Sequence, residues 1–544
     1  MTHTIDGTMY LNMLRAGAAR LDLNRKAVND LNVFPIPDGD TGDNMFMTIN
    51  SGAAKTAVSD SISIAASDAA RGMLLGARGN SGVILSRIFA GLAKGMRDAD
   101  ALDTNGFINA IQSGVDEAYS AVSVPVEGTI LTVCREGAET LTDNSPESFE
   151  ELFDILLPAM SESLEHTPEQ LDVLKEAGVV DSGGAGLVYI VQGMREGLDS
   201  KSFESISSAP AAGSPVDLDA FTEDSVLEYG YCTEFLLRLQ RSKTDIDRFD
   251  TDAFTAWLNS VGDSVVCFKE GSIVKVHVHT KTPGDILNHC QRYGEFLTTK
   301  IENMTLQHNG SHGMQELKLR SKEHKKPYGI VAVASGEGLR ELFISLGCDA
   351  VVDGGQSMNP SAEDLVRAFD EVSAEVIYVF PNNSNIILTA QQAAQLYGGS
   401  DIRVIRTKTV GEGYAAVSMF DPSAGSADEI AAQLNEIAAG VVTGMVSRAS
   451  RDVSGEVAVV KDDYIGFVGD HIYVDAKTPE DAMLGLCESL DAGSRDILLI
   501  LAGADADDDA AARMADELTA RYRRSEVIMM NGDQPIYDYI LILE

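Results

Sequence analysis

Positive charge is scarce in this chain. Its 544 residues hold 42 Lys and Arg against 83 Asp and Glu, a formal net charge of −41 at pH 7. That balance argues against direct binding to nucleic acid or to an anionic lipid surface, because no basic stripe is on offer to phosphates. The one basic cluster, Lys318, Arg320, Lys322, Lys325 and Lys326, falls in a polar stretch that reads as a linker. A phosphate-bearing substrate would need a metal ion to approach so acidic a surface. Cysteine is sparse as well: six residues, at 134, 232, 267, 290, 348 and 487, follow no disulfide-like spacing and fit a reducing compartment. Long apolar runs are missing. The longest, Ile497 to Ala502, is far shorter than the ~20 residues that a membrane-spanning helix needs. The first residues, Met1 to Asp6, carry neither the basic nor the apolar segment of a signal peptide. These absences predict a cytoplasmic protein with no transmembrane segment and no nucleic-acid partner.

What is present is ordinary globular composition, 44% apolar and 23% charged. At about 150 residues per domain, the length suggests three or four domains. From Asp6 to about Gly197 the spacing is helical: Tyr10, Leu14, Ala18 and Leu21 recur on one face, and Gly106–Val122 and Phe149–Leu164 repeat the pattern. An all-α barrel or bundle is predicted for residues 1–200. Ile206 to Val216 has linker composition. Strand-like runs at Tyr231–Leu239, Ser264–Phe268 and Ile273–His279 then predict a middle α+β domain over 217–308. From Tyr328–Ala334 onward, strands alternate with helical segments, which predicts an α/β domain over 327–544 with a parallel sheet. The acidic run Asp505–Asp509 reads as a solvated loop or a helix start.

The most informative stretch runs from Asn32 to Met45 and contains Pro35, Pro37, Asp38, Gly39, Asp40, Thr41, Gly42, Asp43 and Asn44. In an extended segment Asp38 and Asp40 would share a face. Turns at Gly39 and Gly42 could bring Asp43 and the Asn44 amide beside them. Clustered carboxylates repel unless a cation neutralises them, and oxygen-only ligands suit Mg2+ shared with phosphate oxygens. Three further glycine-bearing loops lie in the same helical region: Gly76–Gly82, Val124–Leu131 and Gly178–Gly186. Each precedes a helix whose N-terminal amides could hold an anion. In the middle domain, His277 and His279 stand at i and i+2 on a strand, and Cys232 on another strand could supply a thiolate. Such a set would leave an open fourth position on Zn2+. In the C-terminal half, Ser335–Leu339, Asp353–Ser361, Phe380–Ile387 and Arg406–Thr409 are polar stretches after strand ends, where open α/β sheets place ligand sites.

Taken together, these strings resemble the dihydroxyacetone kinase L-domain family, in the version carried by the catalytic A subunit of bacterial fatty acid kinase. The resemblance covers essentially the whole chain and extends to Gly-Tyr-Cys-Thr-Glu at 230–234, Val-His-Val-His-Thr at 276–280, Ile301–Met304 and a DegV-like C-terminal region. It implies an antiparallel helical barrel that holds ATP through two Mg2+ ions, with Asp38 and Asp40 as catalytic metal ligands. It places Asn44, Ser81 and Thr129 near the phosphates or ribose. Thr41, Asp43, Gly79, Asn80, Gly82, Gly128 and Asp181 fall in the same nucleotide loops. It implies zinc on Cys232, His277 and His279, a homodimer, and docking of a carrier by the C-terminal region. One departure concerns Asp43, where the family commonly has an uncharged residue. Dihydroxyacetone kinases instead carry a third metal-binding aspartate upstream, where this chain has Asn32 or Val33. Asp43 either replaces that ligand or faces solvent.

The function so implied is transfer of the γ-phosphoryl group of ATP to a fatty acid carboxylate presented by a separate DegV-like fatty-acid-binding protein. It would serve fatty acid metabolism and phospholipid synthesis. No histidine occurs in residues 4–165, which suits an acceptor that needs no general base. No segment reads as an apolar tunnel for an acyl chain. The alternatives are a kinase of a small polyol such as dihydroxyacetone, for which no substrate domain is recognisable, and a non-catalytic nucleotide-sensing adaptor.

Overall fold

The structure is a computed structural model that describes residues 1–31, 36, 39–122, 124–199, 231–246, 249, 251–270, 272–303, 326–356, 358–453 and 455–543. The chain divides into two compact units, Met1–Ser208 together with Lys325–Glu544, and Ala209–His324.

The first part of the larger unit is helical: α1 (Gly7–Asn29), α2 (Thr41–Lys55), α3 (Ile62–Gly76), α4 (Gly79–Gly95), α5 (Thr104–Ala121), α6 (Ile130–Asp143), α7 (Phe149–Glu165), the short α8 (Thr167–Gln170) and α9 (Asp172–Ala177), and α10 (Ser182–Asp199). Helix α1 starts where Asp6 accepts a hydrogen bond from the Met9 amide, and it buries the stripe Tyr10, Leu14, Ala18 and Leu21 expected from the spacing. These residues join Met45, Ile49, Leu85, Phe89, Phe149 and Ile190 in one apolar core. The helical segment is not purely α. Strands β1 (Thr4–Asp6) and β2 (Ala101–Asp103) form a small antiparallel pair, each just before a helix.

The second part of the larger unit contains two sheets. Strands β7 (Lys326–Ala334), β8 (Ala350–Asp353), β9 (Ala374–Phe380) and β10 (Asp401–Val404) form a sheet in the order β10-β9-β7-β8, parallel throughout as the strand–helix alternation requires. Its connections carry α13 (Glu337–Ser345), α14 (Ala362–Val372) and α15 (Ser384–Leu396). Helices α16 (Val410–Ser418) and α17 (Ala427–Gly440) lead to a mixed six-stranded sheet. Its strands are β11 (Val442–Arg448), β12 (Tyr464–Val468), β13 (His471–Ala476), β14 (Ile497–Ala502), β15 (Glu526–Asn531) and β16 (Tyr537–Leu543), with α18 (Pro479–Ser489) and α19 (Asp508–Arg521) between them. Asp507 caps α19, so the acidic run is a helix start, where carboxylates suit the positive end of the helix dipole. A shared core that includes Ile330 and Tyr378 from one sheet and Ile465 and Ile540 from the other lies within this part.

The smaller unit is an antiparallel sheet in the order β4-β5-β3-β6, from β3 (Tyr231–Leu239), β4 (Asp263–Glu270), β5 (Ile273–Thr280) and β6 (Gly294–Asn303), with α11 (Thr251–Val261) and α12 (Pro283–Cys290). Alternate residues Val274, Val276 and Val278 are buried with Phe235, Phe254, Leu258 and Ile286. Among the described residues no helix is long and apolar enough to cross a membrane.

Candidate functional site at four helix starts

The glycine-bearing strings converge. Helices α2, α4, α6 and α10 all begin at one end of the helical part, and short contacts link the starts in a chain. Ser182, the first residue of α10, donates from Oγ to Oγ1 of Thr41, the first residue of α2, at 3.2 Å. Asp181 joins α10 to α6: its carboxylate accepts from the Gly184 amide at 2.6 Å, and from the amides of Gly183 and Ile130. Burial nonetheless pushes its pKa up to about 6. Gly79, at the start of α4, adopts φ +58°, and a Cβ there would stand 2.7 Å from Asn44 Nδ2 of α2. Only glycine fits that conformation and that gap. A Cβ at Gly82 would meet Thr48 Oγ1 at 2.4 Å, so α4 crosses α2 at contact distance.

Most of the nucleotide-loop residues singled out in the sequence lie at these starts. Asp40 immediately precedes α2, and its Oδ2 accepts from Asn359 Nδ2 at 2.5 Å. Asn44 is buried one helical turn later, with its amide on the Asp40 carbonyl at 2.9 Å. Gly79, Asn80, Ser81 and Gly82 are the first turn of α4 rather than a loop before a helix starting at Val83. The helix begins earlier because the chain enters it through the left-handed Gly79, not through an apolar position. Asn80 Nδ2 donates to Asn385 Oδ1 at 3.2 Å. Gly128 has φ +79°, and its amide donates to Thr132 Oγ1 at 2.8 Å. Thr129 caps α6 by accepting from the Leu131 amide at 3.4 Å. Asp38 lies outside the described residues.

Asp43 stands apart from this cluster. Its Oδ1 accepts from Arg25 Nη1 at 3.0 Å and its Oδ2 from Asn29 Nδ2 at 2.7 Å, both donors belonging to α1. Asn29 Oδ1 in turn accepts from the Gly42 amide at 2.7 Å. The contacts of Asp43 thus tie the first turn of α2 to the end of α1, and both of its oxygens have a partner there.

Three contributors come from beyond the aspartate loop. Asn359, Asn385 and Arg78 lie in stretches that the sequence marked, Asp353–Ser361, Phe380–Ile387 and Gly76–Gly82, but none stood out there as a site residue because each acquires meaning only through its partner. The Arg78 guanidinium donates to the Asn359 carbonyl at 2.6 Å and lies 3.5 Å from Asp364. Arg78 also forms an antiparallel bridge with Ser361. Gln392 of α15 donates to the Leu74 carbonyl at 2.6 Å and accepts from Arg87 Nε at 3.1 Å. Ile36, within the aspartate loop, is buried in the core of the α/β part. The same part carries an open cleft of about 570 Å3, lined by Val333, Leu339, Met445, Phe467 and Ile540 together with polar groups such as Asn383 and Lys408. Ile36 and Asn385 line it too. No contiguous segment announced this cleft, because its walls come from strand ends and loops scattered along the chain.

The donor set is oxygen-rich and partly unspent. Asn80 Oδ1 and Asn359 Oδ1 are buried without a hydrogen-bond partner. Buried polar atoms ordinarily find one, so these acceptors suit a bound cation or donor. Oxygen ligands beside helix N-termini fit a hard divalent ion carrying phosphate groups. For zinc the position is different. The backbone register of β3 on β5 sets Cys232 opposite His279 and Glu234 opposite His277, but these side chains lie outside the described residues. Among the described residues no group of three His, Cys, Asp or Glu could hold a metal ion.

A helical domain of this kind has a counterpart among known families: residues 35–196 match the model of the DAK2 domain. Residues 35–196 therefore form a DAK2-type, kinase-like domain. Residues 228–311 match the middle domain, and 329–544 the C-terminal domain, of the FakA-like fatty acid kinase family. Protein YloV of Bacillus subtilis (strain 168) is 39% identical over 560 residues, covering 99% of each chain. A protein of Staphylococcus haemolyticus (strain JCSC1435) is 36% identical over 557 residues, covering 100% of each. The chain belongs to the FakA-like fatty acid kinase family. Among solved structures, DegV, a fatty acid binding protein from Bacillus subtilis, aligns with TM-score 0.31 and 13% identity over 40% of this chain and 99% of that one. The dihydroxyacetone kinase from C. freundii in complex with AMP-PNP and Mg2+ aligns with TM-score 0.28 and 15% identity over 36% and 35%.

Proposed function

We propose that this chain transfers the γ-phosphoryl group of ATP to a fatty acid carboxylate held by a separate DegV-like fatty-acid-binding protein, forming acyl phosphate and ADP. The observation that carries this reading is the convergence of four helix starts and the Asp40 carboxylate on one corner of a kinase-type domain. Asp38 and Asp40 would hold Mg2+, which when bound would neutralise the charge on the phosphates. The chain's own part is positioning. The first-turn amides of α4 offer donors to phosphate oxygens, and Gly79 leaves room for close approach. Thr41, Asn44, Asn80, Ser81, Gly82, Gly128 and Thr129 border the nucleotide. Asp181 acts by holding the α6 and α10 starts together, and Asp43 by anchoring α2 to α1. In the reaction a carboxylate oxygen forms the new bond to the γ-phosphorus, and the bond to the β–γ bridging oxygen breaks. The acceptor is already ionised at neutral pH, so no group of the chain has to remove a proton.

Residues 1–200 are assigned the nucleotide chemistry, 217–308 a zinc site at Cys232, His277 and His279 with homodimerisation, and 327–544 docking of the carrier, all in the cytoplasm. The backbone register that sets Cys232 opposite His279 is the ground for placing the zinc there. One assay tests the reading: ADP release with Mg-ATP and free fatty acid, with a loaded carrier, or with dihydroxyacetone. Turnover is expected with the loaded carrier alone. Turnover on dihydroxyacetone would move the assignment to a polyol kinase. Nucleotide binding without turnover on any acceptor would leave an adaptor.

A further inference from the structure

The α/β part of the larger unit reaches the Asp40 carboxylate with the side chain of Asn359. This residue sits in the connection between β8 and α14 and is 1% exposed. Its Nδ2 donates to Asp40 Oδ2 at 2.5 Å. The same nitrogen would lie 3.3 Å from a Cβ at Gly79, so it borders the left-handed turn that opens α4. The placement is held from both sides. Arg78 Nη1 donates to the Asn359 carbonyl at 2.6 Å, Arg78 bridges Ser361, and the Ala362 amide donates to the Ala77 carbonyl at 3.2 Å. Asn359 Oδ1 meanwhile has no partner although it is buried, and Asn80 Oδ1 shares that condition. A donor fixed on one oxygen of a metal-binding carboxylate orients the group and sets its basicity. A buried acceptor left open beside it suits a cation or a donor on a bound molecule.

We infer that Asn359 is a positioning residue for phosphoryl transfer, orienting the Asp40 carboxylate toward the metal, so that the α/β part completes the site in the helical part. This rests on the reading of Asp40 as a Mg2+ ligand for ATP. The test titrates Mg2+ into full-length protein with a non-hydrolysable ATP analogue, following binding by calorimetry, and measures ADP release with carrier-held acid alongside. Asn359→Ala is expected to raise the Mg2+ concentration for half-saturation about tenfold, in line with losing an outer hydrogen bond to a metal ligand, with little change in metal-free nucleotide binding. Asn359→Asp keeps the shape of the side chain but adds a carboxylate beside Asp40, and its fold is checked by circular dichroism. It is expected to lower that concentration while still slowing turnover, because the added oxygen draws metal without orienting Asp40. Gln395→Ala removes another contact between the two parts, to Arg87 at 2.6 Å and away from Asp40, and is expected to leave Mg2+ dependence unchanged. Wild-type Mg2+ dependence in Asn359→Ala, a shift in the same direction in both Asn359 variants, or an equal shift in Gln395→Ala would overturn the inference alone. A wild-type protein whose nucleotide binding ignores Mg2+ would overturn the reading of the site as well.

Discussion

Four helix starts of the α/β part and two of the four at the candidate site are closed differently. In the α/β part, α14, α15, α16 and α17 each close their first turn with their own side chain: Ser361, Asn383, Thr409 and Ser426. Ser361 and Ser426 do so in full capping boxes. At the candidate site, α2 and α4 begin at Asp40 and Arg78 without a side-chain cap from those residues. A missing cap costs about 1 kcal/mol in an isolated helix and is tolerated where another acceptor arrives. The α3 start also lacks a side-chain cap, but the carbonyls of Asp100 and Ala99 receive the amides of Ile62 and Ser63. At α2 the Asn29 side chain receives the Gly42 amide. An uncapped start is therefore not a site by itself. What distinguishes α4 is that its open turn faces Asn44, Asn359 and the neighbouring starts at once.

That contrast can be broken at several points. The largest effect is expected from Asp40→Asn and Asp38→Asn: a loss of phosphoryl transfer on the order of 10^2-fold or more, with circular dichroism unchanged. Near-wild-type turnover in both would end the metal assignment. Next comes Asp181, whose raised pKa of about 6 means that the folded state holds its proton more tightly than the unfolded chain does. Its contribution to stability is therefore full below the unfolded value of 3.8 and is lost as pH rises through about 6. The stability difference between wild type and Asp181→Asn should change by roughly 2 to 3 kcal/mol between pH 4 and pH 7 in urea titrations. A flat difference would show that burial does not dominate there. Gly79→Ala should lower stability by roughly 1 to 2 kcal/mol, the cost of a left-handed alanine, and weaken nucleotide binding because its methyl enters the gap beside Asn44. Ser426→Ala, a cap far from the site, should lower stability by about 1 kcal/mol and leave nucleotide affinity untouched. The smallest effect belongs to Asp43→Thr, which loses a half-exposed ion pair at 3.0 Å to Arg25 and should cost under about 1 kcal/mol. A severe loss of activity there would return Asp43 to the metal.

Much of this architecture was legible along the chain because it depends on local rules. The stripe from Tyr10 to Leu21 marked a buried helix face, and Tyr231–Leu239 was readable as a strand to the residue. Helix starts were less legible. The helix expected from Val83 begins at Gly79, because a left-handed glycine opens it ahead of the first apolar position. The β1–β2 pair was invisible, since each three-residue strand is too short to show alternation. The glycine strings were recognisable one by one as helix entrances, but their meeting was not.

By itself the sequence determined the net charge, the element types, the family, and the residue kinds able to meet phosphate and a hard cation. Those follow from composition and from spacings of a few residues, where neighbours along the chain are neighbours in space. Only the tertiary structure decided which carboxylate stands in the cluster and which is tied to α1. Asp40 and Asp43 are indistinguishable as letters, yet one meets Asn359 from 319 positions away and the other meets Arg25. The cleft and the Arg78–Asn359 contact have the same origin, since both are made by residues that folding alone brings together.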